Sequence, residues 1–168
     1  MIYLLDADTL IKADSTYYPR KRFAVFWEWL AHNGSKGVLK IPVEQYEEII
    51  VGRGDLVAWL KDANNKEALL LDEEVDPKVI ESVVANGYAP DRDETELENL
   101  GRDPFLISYG LTSTRDRCIV TFEVSAPSKS RANRKIPDVC HALGVNCVTL
   151  FDVIEALDFT TDWTVPPS

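Results

Sequence analysis

Acidic side chains recur in this sequence where a strand is predicted to end or a helix to begin. They are Asp6 and Asp8 after the first strand, Glu47 and Glu48 in the helix after Pro42, Asp103 at a helix start, and Glu123 after a later strand. A parallel sheet would bring them together, because the carboxyl ends of its strands share one edge. Clustered carboxylates repel unless a cation neutralises them, and oxygen-only ligands favour Mg²⁺ or Mn²⁺. The pattern predicts a divalent metal site able to orient a phosphodiester and activate water.

Each of these acids also has a structural interpretation. Asp103 precedes a proline, as helix N-caps often do, and a capping role could coexist with metal binding. Asp8 fits a capping or surface position, and Glu47 and Glu48 taken singly fit a solvated helix face. Asp6 differs from them, because a charge directly after a buried apolar run seldom lacks a partner or a task.

Alternating strands and helices would position the acids. Apolar runs predict strands at 2–5, 37–41, 118–121 and 145–150, and residues 69–71 could form another. Periodicity, capping residues and prolines predict helices at 19–33, 42–51, 55–60, 76–86, 103–111, 137–143 and 152–157. A loop is expected at 13–18, and a loop or short helix at 90–98. This alternation favours an α/β fold whose parallel sheet is covered on both faces.

The charge of the chain is distributed unevenly. Its 168 residues carry a formal net charge of −10, which by itself counts against a nucleic-acid partner. Residues 41–100, however, hold 16 of the 28 acids and only 5 of the 18 bases. The acidic excess could therefore repel RNA from one region or receive a basic partner there, while leaving other surfaces open to RNA.

Cysteine usage and hydropathy indicate the compartment. The three cysteines are an odd number without CxxC spacing, which argues against a disulfide framework and a structural zinc site. The first residues lack a basic segment, and no run of 18 apolar residues occurs in the sequence. We therefore expect a cytoplasmic protein that neither is secreted nor spans a membrane.

Four segments, in their order along the chain, resemble the acidic motifs of the PIN domain. The segments are Tyr3-Leu4-Leu5-Asp6-Ala7-Asp8-Thr9-Leu10-Ile11, Ile41-Pro42 with Glu47-Glu48-Ile49, Asp103-Pro104-Phe105-Leu106-Ile107 and Ile119-Val120-Thr121-Phe122-Glu123. PIN domains are metal-dependent ribonucleases, and many are toxins of bacterial toxin–antitoxin pairs. The resemblance covers about residues 2–151. It implies one domain over 1–157, in which 53–100 form a helical, acidic inserted region, followed by a tail at 158–168.

The resemblance also implies a three-layer αβα sandwich, with a central and mainly parallel sheet, and one or two Mg²⁺ or Mn²⁺ ions. The implied catalytic and metal-binding acids are Asp6, Glu48, Asp103 and Glu123. Glu48 is preferred to Glu47 because it directly precedes an apolar residue, as the family's glutamate does. Glu123 stands where the family commonly has Asp, so it could bind through water. Residues 136–140 resemble a motif of an uncharacterised bacterial PIN-like subgroup, which makes Asp138 a secondary ligand candidate, although it also complements a helix dipole.

Basic residues near the acids are the predicted RNA contacts. The loop at 125–135 directly follows Glu123, has no acid, and carries four cations that could hold an RNA backbone, Lys129, Arg131, Arg134 and Lys135. Thr9 could hydrogen-bond a ligand carboxylate or a phosphate, or cap a helix. A second basic run at 20–22 fits either an RNA contact or a solvated face.

The predicted partners are an RNA substrate, an antitoxin protein and a second copy of the chain. Trp27 and Trp29, on an aromatic helix, offer apolar surface for a homodimer, although core packing explains Trp27 as well. The expected reaction is hydrolysis of an RNA phosphodiester that leaves 5′-phosphate and 3′-hydroxyl ends.

Two other functions compete with the ribonuclease. Asp6-Ala7-Asp8-Thr9 also resembles the DxDx(T/V) motif of haloacid dehalogenase phosphotransferases, in which Asp6 would be the nucleophile. Leu10 stands where that motif has Thr or Val, and no later paired-Asp motif follows a strand. The other alternative is a PIN-like interaction module without catalysis, against which the four junction acids argue.

Overall fold

A five-stranded parallel sheet brings the distant acids to one edge. The computed structural model describes residues 1–164. Its strands are β1 (Ile2–Leu5), β2 (Leu39–Pro42), β3 (Leu70–Leu71), β4 (Arg117–Val120) and β5 (Asn146–Val148). They lie in the order β3-β2-β1-β4-β5, and every neighbouring pair is parallel. The apolar strand β1 is the central strand, so its backbone is hydrogen-bonded to β2 on one side and to β4 on the other.

Helices cover both faces of this sheet. They are α1 (Ala7–Lys12), α2 (Ala24–Ser35), α3 (Val43–Ile50), α4 (Asp55–Lys61), α5 (Ala63–Leu69), α6 (Pro77–Val83), α7 (Glu94–Leu100), α8 (Asp103–Thr112), α9 (Ile136–Leu143) and α10 (Leu150–Ala156). Two separate apolar clusters form, one between the sheet and α1–α5 with α10, the other between the sheet and α6–α9. Leu5 belongs to the first and Leu4 to the second, as alternation along a strand requires. The predicted α/β three-layer architecture is confirmed.

The segment between α1 and α2 differs from its prediction. Residues Ala13–Tyr17, expected as loop, form a π-helical turn, and α2 begins at Ala24 rather than at Pro19. The Asp14 side chain accepts a hydrogen bond from the Arg20 backbone N–H (3.2 Å), and the Pro19 carbonyl accepts two more from the following turn. These hydrogen bonds stabilise a turn at Pro19, whereas the proline by itself predicts the start of a helix there.

The acidic region at 53–100 is mostly helical and adds one short strand to the sheet. It contributes α4 to α7, and its β3 pairs with β2 through Ile41 with Leu70 and Pro42 with Leu71. In the 90–98 segment, Asp93 and Glu96 form a capping box that starts α7. The uncertain strand at 69–71 therefore exists, as an edge strand of two residues.

The predicted tail packs against α2 as far as the structure describes it. The Phe159 ring lies 4.9 Å from that of Trp29, and the Trp163 ring lies 4.7 Å from that of His32. Trp27 and Trp29 are both buried in the core, so they provide no surface for the predicted dimer. Residues 165–168, which include two prolines of the predicted tail, lie outside the described residues.

The described helices are all too short or too polar to cross a membrane.

Candidate active site

The β1 and β4 strands end side by side and place Asp6 against Thr121. Leu5 is paired with Val120, and the Asp6 N–H donates to the Val120 carbonyl (3.0 Å). The Thr121 hydroxyl then donates to Asp6 Oδ2 (3.0 Å). Asp6 is only 5% exposed, so its carboxyl is held in a defined place at the carboxyl edge of the sheet.

Burial changes the titration of Asp6. Desolvation raises the pKa of the Asp6 carboxyl to about 6, with smaller increases from the charges of Asp8 and Glu48. The Thr121 hydrogen bond opposes this rise, because it stabilises the ionised form. Asp6 therefore carries an unfavourable negative charge at neutral pH that a cation would stabilise.

Asp103 reaches the same place from the start of α8. It is the first residue of that helix, and Arg102 occupies the N-cap position, so the predicted N-cap role of Asp103 is wrong. The Asp103 carboxyl is half-buried, and burial raises its pKa to about 7, together with the charges of Asp6, Glu123 and Glu48. Four acids from separate parts of the chain thus act on one another electrostatically.

Glu123 is the acid of this group with a cationic partner. Its Oε1 accepts from Lys135 Nζ (2.8 Å) and its Oε2 from the Ile136 N–H (2.8 Å), at the start of α9. Its own backbone N–H donates to the Thr121 hydroxyl (3.1 Å), so that hydroxyl joins Asp6 to Glu123. Glu123 could bind a metal only by sharing oxygens that are already hydrogen-bonded.

The two neighbouring glutamates of α3 have different environments. Glu47 accepts a hydrogen bond from the Arg102 guanidinium (2.9 Å) in an ion pair that ties α3 to the residue before Asp103. Glu48 is exposed, and its charge is the one that acts on Asp6 and Asp103. Glu48 is accordingly available to the site, whereas Glu47 is committed to Arg102.

Two further polar residues at the site escaped sequence reasoning. Gln45 is fully buried, where its Oε1 accepts from the Ala7 N–H (3.1 Å) and its Nε2 donates to the Arg102 carbonyl (3.1 Å). It thereby fixes the residues next to Asp6 and Asp103. Its signal in the sequence is a polar side chain four residues before Ile49, on the apolar face of α3.

Lys12 is the second residue that was missed. Its Nζ pairs with Asp8 (2.6 Å), four residues earlier on α1, and its charge neighbours include Asp6 and Glu123. These contacts raise the pKa of the Lys12 ammonium, so it stays cationic. The i, i+4 spacing of Asp8 and Lys12 indicates the pair, but its position beside the acids follows only from the sheet.

The remaining metal candidate, Asp138, has a different task. Its carboxylate accepts from the Ser125 hydroxyl and the Ala126 N–H (2.7 Å), which holds its pKa below the ordinary value. Arg134 and His141 are its basic neighbours. Asp138 fixes the start of the basic loop, and the structure does not bring it into the group around Asp6.

The basic loop is folded back on the protein instead of being free. Arg131 pairs with Asp91 (2.9 Å) and Glu96 (2.5 Å), and Arg134 donates to the carbonyls of Gly87 and Asp138. With Lys135 bound to Glu123, three of the four predicted RNA contacts are already engaged, while Lys129 is exposed.

Thr9 is wholly buried, and its hydroxyl donates to the Val120 carbonyl (3.3 Å). This hydrogen bond links α1 to the end of β4. Thr9 is therefore a core residue, and the prediction that it contacts a phosphate is wrong.

The acids converge without forming a finished metal cage. Within residues 1–164, no three His, Cys, Asp or Glu side chains are arranged so that they could hold a metal ion as they stand. Carboxylates that approach one another without a cation repel, so a bound ion would favour a closer arrangement of Asp6, Glu48 and Asp103. The donor set itself fits a hard divalent ion, because it is made of carboxylate oxygens on three separate elements.

One protein family, described as a domain of unknown function (DUF4411), matches residues 3–161. Neither the curated proteins nor the solved structures contain a match to the chain.

Proposed function

Since the chain belongs to the DUF4411 family, a domain of unknown function, we propose its function from the site: a Mg²⁺- or Mn²⁺-dependent ribonuclease. The observation that carries this proposal is the convergence of Asp6, Glu48 and Asp103 at the carboxyl edge of a parallel sheet, where burial and, to a smaller extent, neighbouring negative charges raise the pKa values of Asp6 and Asp103. The cations beside them, Lys12 and Lys135, are paired with other acids. The group therefore keeps negative charge that a divalent ion would neutralise.

The chain's own residues prepare the site. Asp6, Glu48 and Asp103 would hold the ion, with Glu123 sharing its hydrogen-bonded oxygens. Bound there, Mg²⁺ or Mn²⁺ lowers the pKa of water and neutralises charge on a phosphate. Thr121 orients Asp6, and Lys135 with the Ile136 N–H orients Glu123. Such preorganisation avoids the cost of arranging the groups during the reaction.

The proposed reaction is hydrolysis of an RNA phosphodiester. Water adds to phosphorus and the bond from phosphorus to the 3′ oxygen breaks, which leaves 5′-phosphate and 3′-hydroxyl ends. The PIN resemblance of the ordered acidic motifs supports this choice among phosphodiester chemistries. It also supports a toxin role with an antitoxin partner, for which the acidic segment at 41–100 offers a surface to a basic chain.

Metal binding and cleavage test the proposal separately. We expect Mn²⁺ to bind the wild type in calorimetry, and Asp6→Asn and Asp103→Asn each to abolish this binding. Cleavage of mixed RNA with Mg²⁺ or Mn²⁺ should fall at least about 100-fold in both variants and stop with a chelator. Asp162→Asn, at an exposed position of the tail, is the control and should leave both unchanged.

The same variants can refute the assignment. RNA cleavage that survives both Asn substitutions would place the active site elsewhere. Hydrolysis of a phosphomonoester with trapping of phosphorylated Asp6 would instead establish the phosphotransferase alternative.

A further inference from the structure

Three aromatic rings form a partly exposed cluster next to the acids. Tyr17 from the π-helical turn, Phe122 after β4 and Phe151 from α10 contact one another, with ring centroids 5.0 to 5.2 Å apart. Tyr17 and Phe151 are each 43% exposed. Large aromatic side chains are normally buried, so a joined group with exposed rings indicates a surface with a use.

This aromatic cluster, Tyr17 with Phe122 and Phe151, is continuous with the acidic site. Phe122 lies between Thr121, which binds Asp6, and Glu123. The Phe122 ring packs on the cluster that contains Leu5 and α1.

A cleft lies beside the sequence neighbours of two of the rings. It has a volume of about 150 Å³ and is lined by Glu123, Cys147, Thr149 and Asp152, among others. Phe151 lies between the last two on the first turn of α10. The cleft is thus bordered by the residues that flank Phe122 and Phe151, and by Glu123 of the acidic site.

One cation, itself paired with an acid, lies near the site. Lys12 lies on α1, which leads directly into the turn that carries Tyr17, and its side chain is 45% exposed. Its ammonium is paired with Asp8 and has Asp6 and Glu123 among its charged neighbours. A cation in that place would meet a backbone phosphate, while the rings meet bases.

We propose that the aromatic cluster of Tyr17, Phe122 and Phe151 is a base-stacking subsite that binds single-stranded RNA beside the acidic site. This rests on the proposed ribonuclease function and adds the form of its substrate. Every base has a π face, so stacking on aromatic rings tolerates many sequences. Paired bases are already stacked within a helix, so the subsite selects single strands over duplexes.

RNA binding without cleavage tests this inference. The probe is a single-stranded RNA octamer with one 2-aminopurine, whose fluorescence is quenched by stacking, titrated with the Asp103→Asn variant in the presence of a chelator. Tyr17→Leu and Phe151→Leu, each added to that variant, should weaken binding about tenfold and relieve the quenching, because each removes a ring but keeps apolar volume. Phe151→Trp should retain both binding and quenching.

A matched control and a competitor sharpen the test. Phe23 is also aromatic and 42% exposed, but it is outside the cluster, so Phe23→Leu should leave RNA binding unchanged. A duplex of the same sequence should compete at least about tenfold more weakly than the single strand. Thermal melting confirms that each variant is folded.

Several results would overturn the subsite. They are wild-type affinity in both Leu variants, equal binding of duplex and single strand, no binding of the octamer at all, or loss of a dimer by light scattering at unchanged RNA affinity. The last would identify the rings as a contact between copies. Metal-dependent cleavage with unaffected Leu variants refutes the subsite alone, whereas stacking without any cleavage refutes the ribonuclease alone.

Discussion

Thr121 connects two acids of the site through one hydroxyl. It donates to Asp6 Oδ2 and accepts from the Glu123 N–H, and it is almost completely buried. We expect Thr121→Val to destabilise the fold by about 1 to 2 kcal/mol, because a buried carboxylate loses a donor while the side-chain volume is kept. Denaturant unfolding measures this loss, and Thr160→Val, at an exposed position, should change stability by less than about 0.5 kcal/mol.

The same substitution has a functional consequence. Loss of the Thr121 hydrogen bond should raise the pKa of Asp6 further, since that bond favours the ionised carboxylate. Mn²⁺ affinity near pH 6 should then fall more than affinity near pH 8. An equal loss at both pH values would show that Thr121 acts only by packing.

Glu47 and Glu48 are adjacent in sequence but differ in their partners. We expect Glu48→Gln to weaken Mn²⁺ binding and RNA cleavage at least about tenfold, because its charge acts on Asp6 and Asp103. Glu47→Gln removes a half-exposed ion pair with Arg102, which should cost less than about 1 kcal/mol and leave metal binding nearly intact. Calorimetry of the two variants side by side distinguishes them, and the reverse order would assign the ligand to Glu47.

At the scale of elements, the basic loop depends on α7. Arg131 contacts Asp91 and Glu96, and these contacts hold the pKa values of both acids below their ordinary range. We expect Arg131→Gln and Glu96→Gln each to increase hydrogen exchange of the amides at 125–135 several-fold, because each removes the bonds that dock the loop. Lys129→Gln, an exposed position of the same loop, is the control and should leave exchange unchanged.

The sequence predicts those elements whose signals are local. The strand β1, the start of α6 at Asp76 and Pro77, and the end of α9 before Gly144 are each set by neighbouring residues, and the structure has these three features where the sequence predicts them. The turn before α2 differs from its prediction because the Asp14 side chain, six residues before Arg20, accepts a hydrogen bond from the Arg20 N–H, a contact that the proline signal at Pro19 does not reveal.

The site shows the same division between local and distant causes. The positions of Asp6, Asp103 and Glu123 follow from strand ends and helix starts, which the sequence displays. The roles of Gln45 and Lys12 depend on which elements become neighbours across the sheet, and that is not visible in any one segment. The same holds for the folded loop, where Arg131 finds its partners 35 and 40 residues away.

For the whole molecule, the acidic site makes stability depend on pH. Asp6 and Asp103 have pKa values raised to about 6 and about 7 in the folded chain, well above the values of about 4 expected when unfolded. Below pH 4 both carboxyls are protonated in the folded and in the unfolded protein, so they do not reduce the stability of the fold. As pH rises through 6 and 7, the folded state binds more protons than the unfolded state and loses stability.

We therefore expect the metal-free protein to lose on the order of 4 kcal/mol of stability from these two groups between pH 5 and pH 8, since each pKa unit corresponds to about 1.4 kcal/mol. Denaturant unfolding at both pH values measures the loss. Asp103→Asn should reduce this loss of stability, because the amide does not titrate, and Asp162→Asn should leave the loss unchanged.

Saturating Mg²⁺ should raise the stability more at pH 8 than at pH 5, because only the ionised carboxylates bind Mg²⁺. A metal effect that is equal at the two pH values would show that Mg²⁺ binds somewhere other than the group around Asp6.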